Sequence, residues 1–349
     1  MTTEMSSIVS EPVLSGTSLP VERDKRMMVA TGRASGALGT KIADRLGVEL
    51  TNPGLKTFSD GEVYCRYEES IRGADLFVVQ SIAGSARDGL NLNDALMELL
   101  VMIEAAQGAS AHRVIAVCPW FGYSRQDKKS APREPITARL VARLLETAGI
   151  DRLLTMDLHA GQVQGFFSNK VPVDHMTAMP LLTQFVSDQL GDEANLTIIA
   201  PDAGRVKLTQ NFARKIGAPY ALLEKQRPAQ QVAEIGYVIG DVRDKVAVIV
   251  DDIIDTGGTL AAAAQTVIDE GAREVYAVAT HGVFSGAAFE TLSASPLSGI
   301  VVTDTVPLRA GAPEDIRVLT CADTLTDSIR RIFTDDSVSE IFAGENQLF

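Results

Sequence analysis

The sequence has few cysteines, a deficit of basic residues and no long apolar run, and each shortage excludes a class of protein. Its 349 residues include only three cysteines, Cys65, Cys118 and Cys321, which are too far apart for a disulfide framework and favour a reducing cytoplasm. A net charge of −13 argues against a nucleic-acid-binding protein that neutralises many phosphates. No stretch predicts a membrane helix or a secretory signal. We therefore expect a cytoplasmic protein that binds neither membranes nor nucleic acids.

Several signatures of nucleotide and metal enzymes are also missing. The chain has no Walker A sequence and no GxGxxG, so it does not bind a nucleotide through either of these loops. It lacks the HRD and DFG segments of protein kinases and the HExxH of zinc peptidases. The length and the apolar content of 46% nevertheless suit two globular domains.

The pattern of apolar residues predicts an α/β fold of two similar halves. Residues 1–26 show no periodicity and predict a mobile tail. Beyond them, strands predicted at 74–81 and 112–119 alternate with helices predicted at 93–106 and 136–149, which is typical of mostly parallel sheets flanked by helices. A helix, a turn, a strand and a polar loop recur at 146–161 and 269–283. We expect domains at 27–173 and 174–316, with 317–349 returning to the first.

The segment Lys245–Thr259, KVAVIVDDIIDTGGT, is the most informative part of the chain. A β-branched run predicts a central strand that ends at two adjacent carboxylates, Asp251 and Asp252. The loop that follows, Asp255-Thr256-Gly257-Gly258-Thr259, leads into an alanine-rich helix. Glycines admit an anion to the backbone, and a helix N-terminus attracts one, so the loop suits a phosphate monoester. The carboxylates suit the hydroxyls of an attached sugar, directly or through Mg²⁺. An N-capped helix with exposed aspartates is the alternative interpretation.

Other polar residues also follow predicted strands. His159 comes after the strand 152–156 and Asp202 after the strand 196–200, so these residues of different halves could face one cleft. Structural hydrogen bonding and helix capping are their ordinary roles. A cationic cluster suits nucleotide phosphates but equally a solvated loop; its members are Arg125, Lys128, Lys129 and Arg133. Lys225 and Arg227 stand where the apolar strand 220–223 opens into a polar segment, which predicts a mobile loop or a surface hairpin.

These segments together carry a family resemblance. Val248–Thr259 resembles the phosphoribosyl-pyrophosphate binding motif that phosphoribosyltransferases share with ribose-phosphate pyrophosphokinases. Four further segments resemble those of the pyrophosphokinase family and cover the chain from about residue 27 to 342: Phe58-Ser59-Asp60-Gly61-Glu62; Arg125–Thr137; Asp157–Phe167; and Pro201–Gly204 with Ser337-Val338-Ser339.

The resemblance implies two phosphoribosyltransferase-like domains and a reaction between Mg·ATP and ribose 5-phosphate. It assigns the nucleotide to Phe58, Asp60, Glu62, Arg125, Gln126 and His159. It assigns the metal to His159 and Asp202, the sugar phosphate to Asp251, Asp252 and Asp255–Thr259, and catalysis to Lys225 and Arg227 on a flexible loop. It also implies a homohexamer that responds to phosphate and ADP through regulatory anion positions at Arg72, Gln164, Ser337 and Ser339.

Two departures from the family pattern accompany these matches. Gly204-Arg205 stands where many relatives have two glycines, and Gln226 where a basic residue is common. Two alternatives stay open at this point: a phosphoribosyltransferase, which would leave 58–62 and 125–137 without a purpose, and a non-catalytic regulatory relative.

Overall fold

The structure is a computed structural model that describes residues 25–85, 89–190, 195–229 and 232–342. Of the predicted tail 1–26, only Lys25 and Arg26 are among them. The elements of the first half are, in chain order, β1 Met27–Thr31, α1 Gly36–Leu46, β2 Leu50–Thr51, β3 Lys56–Thr57, β4 Val63–Tyr64, β5 Asp75–Val79, α2 Leu92–Gly108, β6 Arg113–Cys118, α3 Thr137–Ala148, β7 Arg152–Met156, β8 Val173–Met176 and α4 Met179–Gln189.

The remaining elements build the second half and end on a helix. They are β9 Leu196–Ala200, α5 Val206–Ile216, β10 Tyr220–Ala229, β11 Val232–Ile239, β12 Val246–Ile254, α6 Gly258–Asp269, β13 Glu274–Gly282, α7 Ala288–Ser293, β14 Gly299–Thr303, β15 Ile316–Leu319 and α8 Ala322–Thr334. No helix among the described residues is both long and apolar enough to cross a membrane.

Two parallel sheets confirm the predicted fold class. The first has the order β2-β1-β5-β6-β7-β8, and all its pairs are parallel. The second has the order β11-β10-β9-β12-β13-β14-β15, in which only the β10–β11 pair is antiparallel. Central strands such as β5 and β9 are buried along their whole length, which explains why their sequences are almost unbroken apolar runs.

Local sequence signals set the helix ends. Asn91 caps α2 by accepting hydrogen bonds from the backbone of Asn93 and Asp94, and the Asp94 carboxylate accepts one from the Asn91 N–H. Gly149 ends α3 in the left-handed conformation that glycine favours. The helices predicted at 93–106 and 136–149 therefore appear as α2 and α3 with ends shifted by only one or two residues.

The two halves share contacts near the carboxyl ends of their strands. Ser81 Oγ donates to the Thr305 carbonyl at 2.6 Å, and Thr280 Oγ1 donates to Asp157 Oδ2 at 2.5 Å. One apolar core cluster also contains residues of both sheets, including Phe77 and Val248. The strand ends of the two sheets therefore meet, and this meeting creates the candidate site.

The expected division into domains differs from the sheets in two places. The bound at residue 173 falls inside β8, which pairs with β7. Arg317, the expected start of the returning segment, lies in β15, which extends the second sheet through parallel bonds to β14. Helix α8 then packs on α1 and pairs Asp323 with Arg45. The domain bounds themselves stay a prediction.

Candidate functional site

A cleft of about 200 Å³ opens where strands of the two sheets end. The first sheet's half contributes Arg125 and His159 to its lining, and the second contributes Asp202, Arg205 and the stretch 251–257. Ligands of open α/β sheets bind outside the carboxyl ends of strands, so this position suits a ligand site. The two predicted strand-end residues, His159 and Asp202, do share one cleft.

The loop between β12 and α6 has the geometry that an anion requires. Gly257 adopts φ +78°, and a Cβ at this position would lie 2.8 Å from Leu292 Cγ, so both the backbone and the packing require glycine. The helix starts at Gly258, and the first N–H groups of an α-helix have no intrahelical partner. Thr256 and Thr259 line the cleft and are exposed. The loop therefore offers backbone and hydroxyl donors to a phosphate.

Two carboxylates near the carboxyl end of β12 form a tight cluster with a histidine and an arginine. The strand does not end at them as predicted but continues to Ile254, because its last two residues still pair with β13. His159 Nδ1 lies 2.7 Å from Asp252 Oδ2. Arg205 places Nε 2.9 Å from Asp251 Oδ1 and Nη2 2.6 Å from Asp252 Oδ1. The same Nη2 lies 2.9 Å from His159 Nδ1. We call these four side chains the acidic cluster, in which the Arg205 guanidinium bridges the two carboxylates.

The cluster separates the proton affinities of the two carboxyls. Burial raises the pKa of Asp251 well above its usual value, and the adjacent charge of Asp252 adds to this. Burial also acts on Asp252, but the hydrogen bond with His159 and the charge of Arg205 outweigh it and hold its pKa below the usual range. Asp252 is therefore the permanently ionised member of the pair at neutral pH.

A divalent cation fits this cluster as a partner shared with substrate. Within the described ranges, no group of three His, Cys, Asp or Glu side chains could by itself hold a metal ion. Asp252 Oδ1 is nevertheless buried without an aligned hydrogen bond, although Arg205 lies near it. Mg²⁺ binds oxygen ligands and commonly uses one or two carboxylates plus substrate phosphates. Asp202, the other expected ligand, accepts a hydrogen bond from the Gly204 N–H at 2.9 Å through Oδ1.

The nucleotide residues predicted in the first half are not all in the cleft. Arg125 lines it and pairs with Asp255. Gln126 accepts a hydrogen bond from Thr137 Oγ1 at 2.6 Å and is exposed, outside the cleft's lining. Of the predicted cationic cluster, Arg125 thus lies at the mouth of the site, where it is already paired with Asp255 of the phosphate loop.

The segment Phe58–Glu62 forms the exposed turn of the small β3–β4 hairpin. Phe58 is 45% exposed and packs edge-on against Tyr64. The Asp60 carboxylate accepts from the Glu62 N–H at 3.1 Å, which fixes the turn. In the described part of the chain, the lining of the cleft includes none of Phe58, Asp60 and Glu62. An aromatic ring this exposed is available to a ligand or a second protein.

Lys225 and Arg227 belong to β10. Backbone pairing with β11, such as Lys225 opposite Ile235, continues the strand beyond the apolar residues 220–223. Up to Ala229 the antiparallel arm therefore agrees with the predicted surface hairpin rather than with the mobile loop, although its register is irregular between Gln226 and Ala229, where Arg227 lies. Gln230 and Gln231, which also contributed to that prediction, lie outside the described residues.

The four regulatory anion positions lie on separate surface segments. Arg72 is exposed beside a recess that Ser70 and Cys65 also line. Gln164 lies in the short helical turn 161–166, and Ser337 and Ser339 bring their hydroxyls within 2.9 Å of each other. Among the described residues, no hydrogen bond or ion pair joins Arg72 to any of the other three.

The pairing of Arg205 with the carboxylates was not predicted. The sequence marked this residue as a departure from the family pattern that could add a phosphate contact or restrict the close approach of the backbone, whereas the structure brings its guanidinium to both carboxylates of β12. The available signal was its place in the chain. Arg205 directly follows the turn Pro201–Gly204 after β9, and the adjacent strand β12 ends at the same edge of the sheet.

Comparisons with known proteins agree along most of the chain. Residues 27–149 match the N-terminal domain of ribose phosphate pyrophosphokinase, and residues 194–343 match the phosphoribosyl synthetase-associated domain. The chain is 46% identical to a ribose-phosphate pyrophosphokinase of Caldanaerobacter subterraneus, over 90% of this chain and 98% of that one. It is 43% identical to one of Clostridium acetobutylicum, over 93% and 100%. A phosphoribosylpyrophosphate synthetase structure from Mycobacterium smegmatis superposes with a TM-score of 0.82 at 40% identity, over 89% and 100%.

Proposed function

The chain belongs to the ribose-phosphate pyrophosphokinase family, and from that premise we propose how its cleft transfers the β,γ-diphosphoryl group of ATP to ribose 5-phosphate. The C1 hydroxyl of the sugar attacks the β-phosphorus, the bond from that phosphorus to the α-phosphate oxygen breaks, and AMP leaves. The product is 5-phosphoribosyl 1-pyrophosphate. The chain is an enzyme, a transferase of nucleotide biosynthesis.

One observation carries the assignment of the sugar site: the phosphate loop and two carboxylates line one cleft near the carboxyl end of β12. The loop Asp255–Thr259 receives the 5-phosphate on backbone N–H groups and threonine hydroxyls. Asp251 and Asp252 accept from the sugar hydroxyls or share a metal ion with them. We propose that the C1 hydroxyl of the sugar then faces nucleotide held by Arg125 and His159 from the other half.

Catalysis then rests on positioning and charge neutralisation. Phosphoryl transfer needs reactants in line and cations around the equatorial oxygens more than it needs a covalent partner. We propose that Lys225 and Arg227, on the β10–β11 arm, supply such cations when the arm approaches bound nucleotide. Arg125 supplies a third by exchanging Asp255 for a nucleotide phosphate, with Gln126 beside it. We assign no general base.

Mg²⁺ is the proposed cofactor. Asp202, His159 and the unaligned Oδ1 of Asp252 are the side-chain atoms that would face it or its water shell. When bound, it supplies charge neutralisation to the phosphate oxygens of ATP. His159 contributes by holding Asp252 through Nδ1, which leaves Nε2 for the ligand side of the ring.

The adenine end of the nucleotide requires a second subunit in this proposal. Phe58 is exposed, and its hairpin stands outside the lining of its own cleft. We propose that Phe58 stacks on a purine while Asp60 and Glu62 accept from its amine, in a homohexamer that places the hairpin at a neighbour's site. Phosphate and ADP would act at Arg72, Gln164, Ser337 and Ser339. The cytoplasm is the proposed location, in keeping with three free cysteines.

The purified full chain tests this function directly. With Mg²⁺, ATP and ribose 5-phosphate we expect equimolar AMP and 5-phosphoribosyl 1-pyrophosphate, and no AMP when ribose 5-phosphate is left out. ATP carrying ³²P in the β position should deliver the label to the sugar product. Label recovered in ADP would contradict attack at the β-phosphorus.

The same preparation separates the two alternatives. A phosphoribosyltransferase would release pyrophosphate from 5-phosphoribosyl 1-pyrophosphate on addition of a nucleobase and would ignore ATP. A non-catalytic regulatory relative would show neither reaction. Only AMP formation that depends on ribose 5-phosphate agrees with the proposed function.

A further inference from the structure

Within the acidic cluster, Arg205 places a positive charge beside the two carboxylates. Its guanidinium reaches Asp251 through Nε at 2.9 Å and Asp252 through Nη2 at 2.6 Å. The Arg205 side chain is only 17% exposed, so it forms part of the floor of the cleft. In the ligand-free protein, the oxygens proposed to face the sugar and its metal are therefore already neutralised.

The backbone fixes where this arginine begins, and polar contacts hold its guanidinium at the cleft. Arg205 follows the turn that Asp202 caps, and its own N–H bonds the Asp202 carbonyl at 3.1 Å before α5 starts. The side chain then crosses from the start of α5 to β12, and among the described residues the polar contacts of its guanidinium are with His159 and the two carboxylates. Its side-chain torsions have alternative staggered rotamers, so the guanidinium can leave the pair without a shift of the backbone.

The contacts of the Arg205 guanidinium cannot all be satisfied at once, which weakens its binding to the carboxylates. His159 Nδ1 is 2.7 Å from Asp252 Oδ2 and 2.9 Å from Arg205 Nη2. A ring nitrogen either donates a proton or accepts one, so it satisfies the carboxylate or the guanidinium but not both. The contact of Arg205 with Asp252 Oδ1 is close but not aligned as a hydrogen bond. Arg205 therefore neutralises the pair by charge without satisfying it.

We propose that Arg205 is a displaceable internal cation: it occupies the Asp251–Asp252 pair in the free enzyme and competes there with a divalent cation. Binding of the divalent ion expels the guanidinium from the pair, and loss of the ion lets it return. This inference rests on the proposed function, because it takes the two aspartates as the metal- and sugar-facing groups of that site.

The competition gives a binding test that needs no turnover. Mn²⁺ is titrated into the full-length enzyme with ribose 5-phosphate present and ATP absent, and free Mn²⁺ is followed by its electron paramagnetic resonance signal. Removing the competing charge in Arg205→Gln should tighten Mn²⁺ binding by at least about tenfold, equivalent to about 1.4 kcal/mol. Arg214→Gln is the matched control, since Arg214 is an exposed arginine of the same helix α5, and it should bind Mn²⁺ like the parent.

A double variant locates the effect. In Arg205→Gln combined with Asp252→Asn, the gain in Mn²⁺ affinity should disappear, because the carboxylate that receives the ion is gone. A gain that survives would mean that Mn²⁺ binds elsewhere and would overturn the proposal. Unchanged or weaker Mn²⁺ binding in Arg205→Gln would overturn it as well, since a merely structural arginine would weaken the site when lost.

Arg205→Lys covers the case in which Arg205→Gln does not fold. An ammonium keeps the charge but lacks the fork that spans two carboxylates, so we expect Mn²⁺ affinity above that of the parent. Affinity equal to or below the parent's would contradict displacement. AMP formation by the parent enzyme is measured on the same preparation: its absence would refute the proposed function, whereas AMP formation without the Arg205 effect would refute only this inference.

Discussion

Replacing Gly257 by alanine should strain the backbone of the phosphate loop and destabilise the protein. Gly257 has φ +78°, which costs an L-residue about 1–2 kcal/mol. The added Cβ would stand 2.8 Å from Leu292 Cγ, and Leu292 is a buried residue of α7, so overpacking adds about 1–3 kcal/mol. The lower entropy of the unfolded alanine chain returns only about 0.4–1 kcal/mol. We expect Gly257→Ala to lower the free energy of unfolding by about 3 kcal/mol, on these combined effects.

The neighbouring glycine provides the matched control. Gly258 is the first residue of α6, has an ordinary φ, and has nothing within 4 Å of the position that an added Cβ would take. Gly258→Ala should therefore leave the free energy of unfolding unchanged or raise it by up to about 1 kcal/mol through helix propensity. Urea denaturation of the two variants and the parent, without ligands, measures the difference.

Activity should follow the same order. A loop forced out of its left-handed turn no longer directs its N–H groups at one point, so the KM for ribose 5-phosphate should rise more in Gly257→Ala than in Gly258→Ala. Equal stability and equal KM in the two variants would refute the claim that the turn at Gly257 shapes the anion site.

Three further predictions concern buried charge, catalysis and regulation. Burial lowers the pKa of both His175 and His281 to about 4 from 6.5. Because the unfolded chain binds more protons than these folded histidines below pH 6.5, each should lower the free energy of unfolding by about 2 kcal/mol between pH 7 and pH 5. Burial raises the pKa of Asp157 to about 6, which acts in the opposite direction. In urea titrations His281→Gln should therefore lose about 2 kcal/mol less than the parent over this range, whereas an unchanged pH slope would contradict it. Lys225→Ala should lower kcat on the order of 100-fold with little change in nucleotide binding, and a loss within about threefold in steady-state assays would remove its catalytic role. Arg72→Ala should abolish the response of activity to inorganic phosphate, and a phosphate titration identical to the parent's would exclude Arg72 from regulation.

The sequence predicted those parts of the fold that local chemistry decides. β5 and β9 appear as predicted because a strand buried on both faces must be apolar nearly throughout. The rule that ligands bind beyond strand ends placed His159 and Asp202 in one cleft, since the strand ends of the two sheets meet there.

Tertiary contacts decided what the sequence did not predict. The polar stretch around Lys225, for which the sequence left a mobile loop and a surface hairpin open, is a strand because β11 pairs with it, and the local sequence does not decide between the two. The reach of Arg205 to β12 depends on how α5 starts beside the neighbouring strand, a distance that spacing along the chain does not determine. Residues 317–319 joined the second sheet for the same reason: the edge of β14 was available for pairing.

The position of ribose 5-phosphate in a crystal of the enzyme tests the assignment of the sugar site most directly. We expect its phosphate within hydrogen-bond reach of the backbone N–H groups of Thr256–Thr259, with the sugar hydroxyls facing Asp251 and Asp252. A second recess of about 700 Å³ lies between residues 31–41 and 304–308 and offers another place for a sugar phosphate. Ribose 5-phosphate bound there, with the loop after β12 empty, would contradict this assignment.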